Sequence, residues 1–475
     1  MGPMANPVRT QTTVSNWDNV SRRIAHTLYR RHQDLESSMT RKVFIPKNGK
    51  TAPTKMALTI PELLAPAGNL EKLRAAIHYG ADAVYLGGGD FSLRAHAVLN
   101  REDVASAVDY AHEHGVKAYI TVNILAHNTD LKGVSDYLPF LAEIGADGLI
   151  IADPGILREA KRLVPEVPIH LSTQANTTNA SSALFWQEQG VSRINLAREL
   201  TLAEIGAIRK QVATELEIFV HGAVCISYSG RCSLSLYMTG RDANRGNCAH
   251  PCRYRYVLEE EKRPGHYFPV EEDGRGTYIF NSKDLCLLRR IPALIAAGAD
   301  SLKIEGRMKS VYYVGAIVRL YRAALDYTAQ KIREDGEGVL TTLQLPQCFI
   351  EELPKIGSRG YTENFIDGPP DSDDMLYGGI RVEQTHAPIG IVRKPGDKPF
   401  VEMRNPLNAG EKIEFLGQNF AQWTAHVVGI TTEKGESVDR ANPGSFVYLE
   451  TEPALDVWQE DGLLRRKSPL LKEEE

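Results

Sequence analysis

The sequence contains no run of about 18 apolar residues, so no membrane-spanning helix is expected. Cysteine is sparse, six in 475 residues, which excludes a secreted disulfide scaffold. Net charge is small, −5 at pH 7. The chain as a whole therefore holds no strong attraction for nucleic acid, and any such contact must come from a local basic patch. Neither Gly-x-Ser-x-Gly nor His-Glu-x-x-His occurs, so two common hydrolase signatures are missing. No Gly-x-Gly-x-x-Gly follows the first apolar run, which argues against a dinucleotide-binding open sheet. What remains is a globular composition, 43% hydrophobic and 24% charged, in a chain long enough for two or three domains.

The few cysteines are not scattered. Cys225, Cys232, Cys248 and Cys252 form C-x6-C-x15-C-x3-C within a stretch of Gly, Ser, Arg and Asn, a loop composition rather than a core one. Thiolates gathered in a polar loop bind soft metal. Four complete either a tetrahedral zinc site or the ligand set of an iron–sulfur cluster. The first pair is spaced too widely for a zinc knuckle, which favours the cluster. Cys286, in NSKDLCLL, is a fifth candidate ligand, and Cys348 reads as a packing residue.

Around this stretch a regular beat runs from Pro61. The apolar segments ELLAPAG, AVYLGGG, KAYITVN, GLIIADPG, IHLSTQ, INLAREL, EIFVHGA and SLKIEGR alternate with amphipathic helices, most ending at Gly. Eight strand–helix units over about 250 residues predict a (β/α)8 TIM-type barrel in the α/β class. The cysteine segment, residues 222–256, is then an insertion after strand seven, on the C-terminal face that carries active sites in such barrels. A further run, TYIFNS, leads into a predicted helix beginning at Asp284. Residues 56–335 are expected to form the barrel, and 336–376, rich in Pro, Gly and Asp, a linker. From 377 to 455 the period changes to alternation, which predicts a small C-terminal all-β barrel. Residues 456–475 read as a charged, frayed tail. Residues 1–55 read as a basic, disordered leader without the apolar core of a secretory signal. A cytoplasmic protein is expected. A cut near Tyr377 is expected to leave a folded barrel.

Several blocks carry a family likeness. EIFVHGAVCISYSGRCSLS, PELLAPAGN, GADAVYLGG, NSKDL, DSLKIEGRMKS and SRGYT together resemble the collagenase-like peptidases of the U-type family numbered thirty-two, the peptidase U32 family. The likeness extends from about Pro61 to Tyr361 and more weakly into the tail. Despite its name, the family includes iron–sulfur hydroxylases of RNA or quinone. The branch of this length resembles tRNA hydroxylases that make 5-hydroxyuridine at the wobble position, with prephenate as the oxygen source. The resemblance thus implies a 4Fe-4S cluster, prephenate as co-substrate and tRNA as partner. A peptidase, or a cluster-bearing subunit of another oxygen-independent hydroxylase, are the alternatives.

Strand ends of the predicted barrel carry Glu62, Tyr85, Asn123, Asp153, Gln174, Asn176, Asn195, Arg198, Glu199, His221, Lys303, Glu305 and Arg307. Of these, His221, Lys303, Glu305 and Arg307 are the candidate catalytic residues, with His221 as a proton donor titrating near neutrality. Arg231 is placed to donate to the sulfurs. Prephenate is a dicarboxylate, and guanidinium forks match carboxylates, so Arg94, Arg198 and Arg307 are candidate clamps. Tyr85, Asn123 and Gln174 complete the candidate substrate contacts, and Tyr85 and Tyr228 are candidate platforms for a base. The GGGDFS loop is a candidate anion cradle.

Overall fold

A computed structural model describes residues 58–88, 91–92, 99–224, 227, 229, 232–243, 247–253, 257–259, 267–269, 283–370, 374 and 383–468. The predicted leader lies outside the described residues.

The strands in chain order begin with β1 (Glu62–Pro66), β2 (Ala83–Gly87), β3 (Lys117–Val122), β4 (Gly148–Ile151), β5 (Ile169–Leu171), β6 (Arg193–Asn195) and β7 (Glu215–Ala223). They continue with β8 (Val257–Glu259), β9 (Tyr267–Pro269), β10 (Asp284–Cys286), β11 (Ser301–Ile304) and β12 (Tyr361–Thr362). Strands β1 to β7 pair in sequence, all parallel, and β11 pairs with both β7 and β1, closing the eight-stranded barrel. The helices between them are α1 (Leu70–His78), α2 (Arg101–Glu113), α3 (Asn128–Glu143), α4 (Pro154–Leu163), α5 (Ala180–Glu188) and α6 (Leu202–Arg209). Several start on side-chain caps that satisfy free N–H groups: Asn69 for α1, Asn100 for α2, Asp153 for α4, Asn179 for α5 and the Thr201–Glu204 box for α6. Their apolar sides join the outward faces of the strands in one large core, including Leu63, Val84, Ile120, Leu149, Ile194 and Leu302.

The lumen is different. Its apolar content is a small cluster of Leu64, Ala83, Tyr85, Tyr119 and Ile150. Much of the remainder is polar or charged. Arg193 donates to Glu62 at 2.6 Å, Lys303 to Glu217 at 2.7 Å, and Tyr119 to Glu62 at 2.7 Å. The side chains of Arg193, Glu217 and Lys303 are 4%, 2% and 4% exposed. Buried charges persist only when paired, and each depends on its partner. At Gly148 an added Cβ would sit 3.1 Å from the His170 ring and 3.2 Å from Tyr119. The bare backbone there lets the two rings meet edge-on across the lumen, with centroids 4.5 Å apart.

Strand β7 is irregular. Its pairing with β11 slips between Lys303 and Ile304, a bulge-like shift that turns the chain at the barrel rim. Beyond the slip, β10 lies antiparallel on the end of β7, with Cys286 opposite His221, and β12 adds parallel to β10. The segment DLC is therefore a strand and not a helix start. The helix of this unit, α8 (Ile291–Ala296), begins later, after a short 3-10 turn. It follows α7 (Leu234–Thr239) of the cysteine segment, and the pair β8–β9 forms a separate ribbon.

The long helix α9 (Val311–Asp335) is followed by α10 (Gln347–Glu352). The stretch expected as a linker is folded over its described residues, 336–370. Leu340, Phe349, Leu353, Ile356 and Ile366 are buried in the main core. Pro and Gly there shape short turns between packed apolar residues, which composition alone does not distinguish from a solvated linker.

Strands β13 (His386–Lys394), β14 (Phe400–Met403), β16 (Lys412–Leu416), β17 (Gln422–Thr432), β19 (Phe446–Glu452) and β20 (Leu463–Lys467) form a closed six-stranded antiparallel barrel, with the pair β15 (Leu407–Asn408) and β18 (Arg440–Ala441) beside it. The expected frayed tail supplies β20. Leu463 and Leu464 are buried, and Arg465 is fully buried among Glu352, Glu414 and Gln422. Ion pairing made a core position read as a charged surface. Ile391, Leu416 and Leu463 belong to the same core as the large barrel. Tyr79 at the end of α1 donates to Leu416 O at 2.7 Å and accepts from Leu463 N at 2.9 Å. Arg319 on α9 donates to Gly417 O at 2.9 Å. The expectation of a large barrel separable at Tyr377 gives way to two barrels with shared apolar packing.

Candidate active site at the barrel mouth

At the C-terminal end of the barrel a cavity opens between the strand ends and the cysteine segment. Tyr85, Asn123, Gln174, Arg198, Lys303, Glu305 and Arg307 all line it, as do Asn195 and Glu199. Inward alternation brings them together: Lys303, Glu305 and Arg307 follow one another at every second position off β11. Arg307 donates to Thr121 Oγ1 at 2.8 Å and to Ser92 Oγ at 2.9 Å, and these hydroxyls are themselves 2.8 Å apart. A side chain at Gly87 would collide with both Ser92 and Arg307, so glycine keeps this fork in place. Lys303, held by Glu217, lies 4.5 Å from the centroid of the Tyr85 ring and 5.4 Å from that of Phe219. Tyr85 donates to Ile304 O at 2.9 Å. Arg198 packs its guanidinium 4.2 Å over Phe219 and donates to Ala223 O at 3.0 Å.

Several buried polar atoms lining this cavity meet no hydrogen-bond partner among the described residues: Gln174 Nε2, Asn195 Oδ1 and Arg198 Nε. Native interiors rarely leave such atoms unpaired, and here they point to a ligand or water. Gln174 is oriented by Ser172, whose hydroxyl donates to its Oε1 at 3.2 Å.

The other expected residues lie elsewhere. His221 does not line the cavity. Beyond the slip in β7 it packs among the rings of Tyr313, Tyr321 and Tyr361, with Nδ1 3.2 Å from Tyr321 Oη. Burial pushes it down to about 3, with Lys309 adding to the shift and Asp284 opposing it. A neutral, enclosed imidazole is no proton donor to the cavity. Glu62 sits at the opposite end of β1 and pairs with Arg193. Asp153 caps α4, and Asn176 closes a 3-10 turn with φ 56°. Arg94, Cys225, Tyr228, Arg231 and part of the GGGDFS loop lie outside the described residues.

Cys232, Cys248 and Cys252 line one wall of the cavity. Among the described residues no three His, Cys, Asp or Glu side chains converge on a point that would hold a single metal ion. The ligands of a cluster sit on separate irons and need no such convergence. A soft donor set on a cavity wall fits an iron–sulfur group. The segment is tied down from the barrel by Glu199 and internally by Ser235, whose Oγ accepts from Ala249 N at 3.0 Å. Cys286 is buried against Tyr321, 3.9 Å from its hydroxyl, and burial pushes its thiol up to about 11. It is not among the cavity-lining cysteines. Cys348 is exposed at the start of α10, not packed as expected.

Sequence reasoning missed Thr121, Ser172, Phe219 and Ser229, and reached Ser92 only as the last residue of the GGGDFS loop. Thr121 was within reach, because it stands two residues before Asn123 on the same strand face. Ser229 lies in a loop without periodicity and gave no signal.

The model of "Peptidase family U32" matches residues 68–376, and that of the "Peptidase family U32 C-terminal domain" matches 384–464. The chain is 40% identical over 400 residues to "tRNA hydroxylation protein P1" of Bacillus subtilis, covering 83% of this chain and 91% of that one. It is 38% identical to "tRNA hydroxylation protein P" of Escherichia coli, covering 75% and 86%. It is 36% identical to the "23S rRNA 5-hydroxycytidine C2501 synthase" of Escherichia coli, covering 75% of this chain and 52% of that one. By the barrel and the C-terminal domain alike, this chain belongs to the peptidase U32 family.

Proposed function

We propose that this chain hydroxylates tRNA, converting the wobble uridine to 5-hydroxyuridine, with prephenate supplying the oxygen. Cys225, Cys232, Cys248 and Cys252 would hold a 4Fe-4S cluster beside the cavity. The relatives named as tRNA hydroxylation proteins support the reaction class. The observation that carries the reading is the mouth itself, where two guanidinium groups, unpaired buried amide atoms and three cysteines face one space.

Each part has a chemical counterpart. Arg307, its fork preset by Ser92 and Thr121, and Arg198, braced on Phe219, suit the two carboxylates of prephenate. Gln174 Nε2 and Asn195 Oδ1 offer a donor and an acceptor to a polar ring edge. Tyr85, its ring covered by Lys303, forms part of the cavity floor. A base in an anticodon loop is already partly unstacked, so entering the mouth costs less than flipping from a duplex. When bound, the cluster would supply redox or electrostatic chemistry at the wall. The chain's own residues bind and orient the two substrates. The peptidase alternative gains nothing here, because His221 faces away from the cavity.

The test is nucleoside mass spectrometry of tRNA from a strain lacking the gene. Loss of 5-hydroxyuridine, restored by the intact chain but not by Arg307→Ala, is the expected result. Undiminished 5-hydroxyuridine overturns the reading, unless a second enzyme of this family remains in the strain. A reaction with purified protein, tRNA and prephenate removes that exception.

A further inference from the structure

We infer that the solvent side of α7, centred on Tyr237, is a stacking platform for the single-stranded tRNA loop that flanks the base in the cavity. The inference rests on the tRNA reading above and assigns a contact surface that the reading does not contain.

Helix α7 has two unlike sides. Leu234 and Ser235 line the cavity, and Ser235 is fully buried, its hydroxyl holding Ala249 N. The next three residues turn outward. Leu236 is 48% exposed, Tyr237 89% and Met238 41%. Single exposed apolar residues are ordinary on a surface, but three in a row beside a cavity are not. The buried side fixes the platform relative to the mouth, so whatever rests on Tyr237 is adjacent to whatever enters.

Charge selects the occupant. Between Cys225 and Tyr256 the sequence holds Arg231, Arg241, Arg245, Arg253 and Arg255 against one acid, Asp242, in a chain of net charge −5. Arg241 stands two residues beyond the end of α7, and its Nε donates to Asn247 Oδ1 at 2.9 Å. An open aromatic ring within a locally basic segment fits a nucleobase with its phosphate. A six-residue helix is too small a face for a stable protein interface, which needs roughly 800 Å² per partner.

The experiment measures binding of fluorescently labelled tRNA to the cluster-loaded full chain, by anisotropy, separately from turnover. Tyr237→Ala is expected to weaken binding roughly 5- to 150-fold, the range for losing one stacked base. Tyr237→Phe keeps the ring and should bind within about twofold of the parent. Iron content should not change in either. Unchanged affinity in Tyr237→Ala overturns the inference, and so does an equal loss in both variants, which would assign the effect to the hydroxyl. Loss of self-association in Tyr237→Ala with tRNA binding intact would reassign the face to a second copy of the chain. A parent protein that makes 5-hydroxyuridine while Tyr237→Ala binds normally sinks this inference alone. A parent that neither binds nor modifies tRNA sinks both.

Discussion

The carboxylate of Glu199, on the loop after β6, accepts the backbone N–H of Ser229 at 2.9 Å and its hydroxyl at 3.0 Å. Ser229 stands between Cys225 and Cys232, so this residue pair ties the cysteine segment to the rigid barrel. Hydrogen bonds to a charged acceptor contribute about 1.5–3 kcal/mol each. Glu199→Ala should leave thermal unfolding of the barrel nearly unchanged and speed loss of iron to a chelator. Iron release at the parent rate would show that the tie does not hold the segment.

The cysteines divide into two classes. Ser at Cys225, Cys232, Cys248 or Cys252 should lower iron content and bleach visible absorption, since a hard hydroxyl is a poor substitute for a thiolate. Cys348→Ser should match the parent, because its side chain is exposed at the start of α10. Cys286→Ser should keep iron, because burial holds that thiol protonated beside Tyr321. Stoichiometric zinc without visible absorption, in anaerobically prepared protein, would remove the cluster assignment.

Arg307→Lys keeps the charge and loses the fork that Ser92 and Thr121 preset. The KM for prephenate should rise on the order of 10-fold, with a smaller effect on tRNA affinity. An unchanged prephenate KM would remove Arg307 from the carboxylate contacts.

Acid should destabilise the fold through its enclosed imidazoles. His221 is held at about 3, and His170 well below its ordinary value, chiefly by burial. An exposed imidazole in the unfolded chain titrates near 6.5. The unfolded chain thus takes up protons that the folded chain refuses. Their contribution is full above about pH 6.5 and is lost as pH falls toward the folded values, by roughly 1.4 kcal/mol per group per unit. In His221→Gln the urea midpoint should fall less steeply between about pH 6.5 and 4.5 than in the parent. Parallel profiles would show that His221 is not protonated on unfolding.

Arg465 is fully buried and bonded to Glu352, Glu414 and Gln422, at 3.1, 2.7 and 3.0 Å respectively. Arg465→Ala removes the nearest cation from two carboxylates, leaving Glu352 to Lys355 and Arg319 and Glu414 to His386, and should cost about 3 kcal/mol, in part recovered by a second change, Glu352→Ala. Removing residues 377–475 should produce insoluble protein, because Tyr79 and Arg319 lose their partners at Leu416 and Gly417. A soluble, cooperatively unfolding fragment would restore the view of separable domains.

Legibility followed periodicity. The eight barrel strands and the alternating C-terminal strands carry repeated apolar spacing, and both barrels were readable from it. Strand-end position likewise found Tyr85, Asn123, Gln174, Arg198, Lys303, Glu305 and Arg307. It misplaced His221 because the slip in β7 turns that side chain outward, and the one mark of the slip is Gly222, a glycine inside the strand with φ 109°. Arg465 read as surface because its burial depends on Glu352, 113 positions away. Charges neutralised by distant partners look, in one dimension, like solvent-facing charges.

The bonds of Tyr79 also impose an order on synthesis. Its partner Leu463 lies 384 positions further along the chain. A ribosome must add those residues before the hydroxyl of Tyr79 can donate to Leu416 and accept from Leu463. Until then the growing chain displays part of its core, and chaperones that shield nascent protein would find a substrate in the nearly finished large barrel.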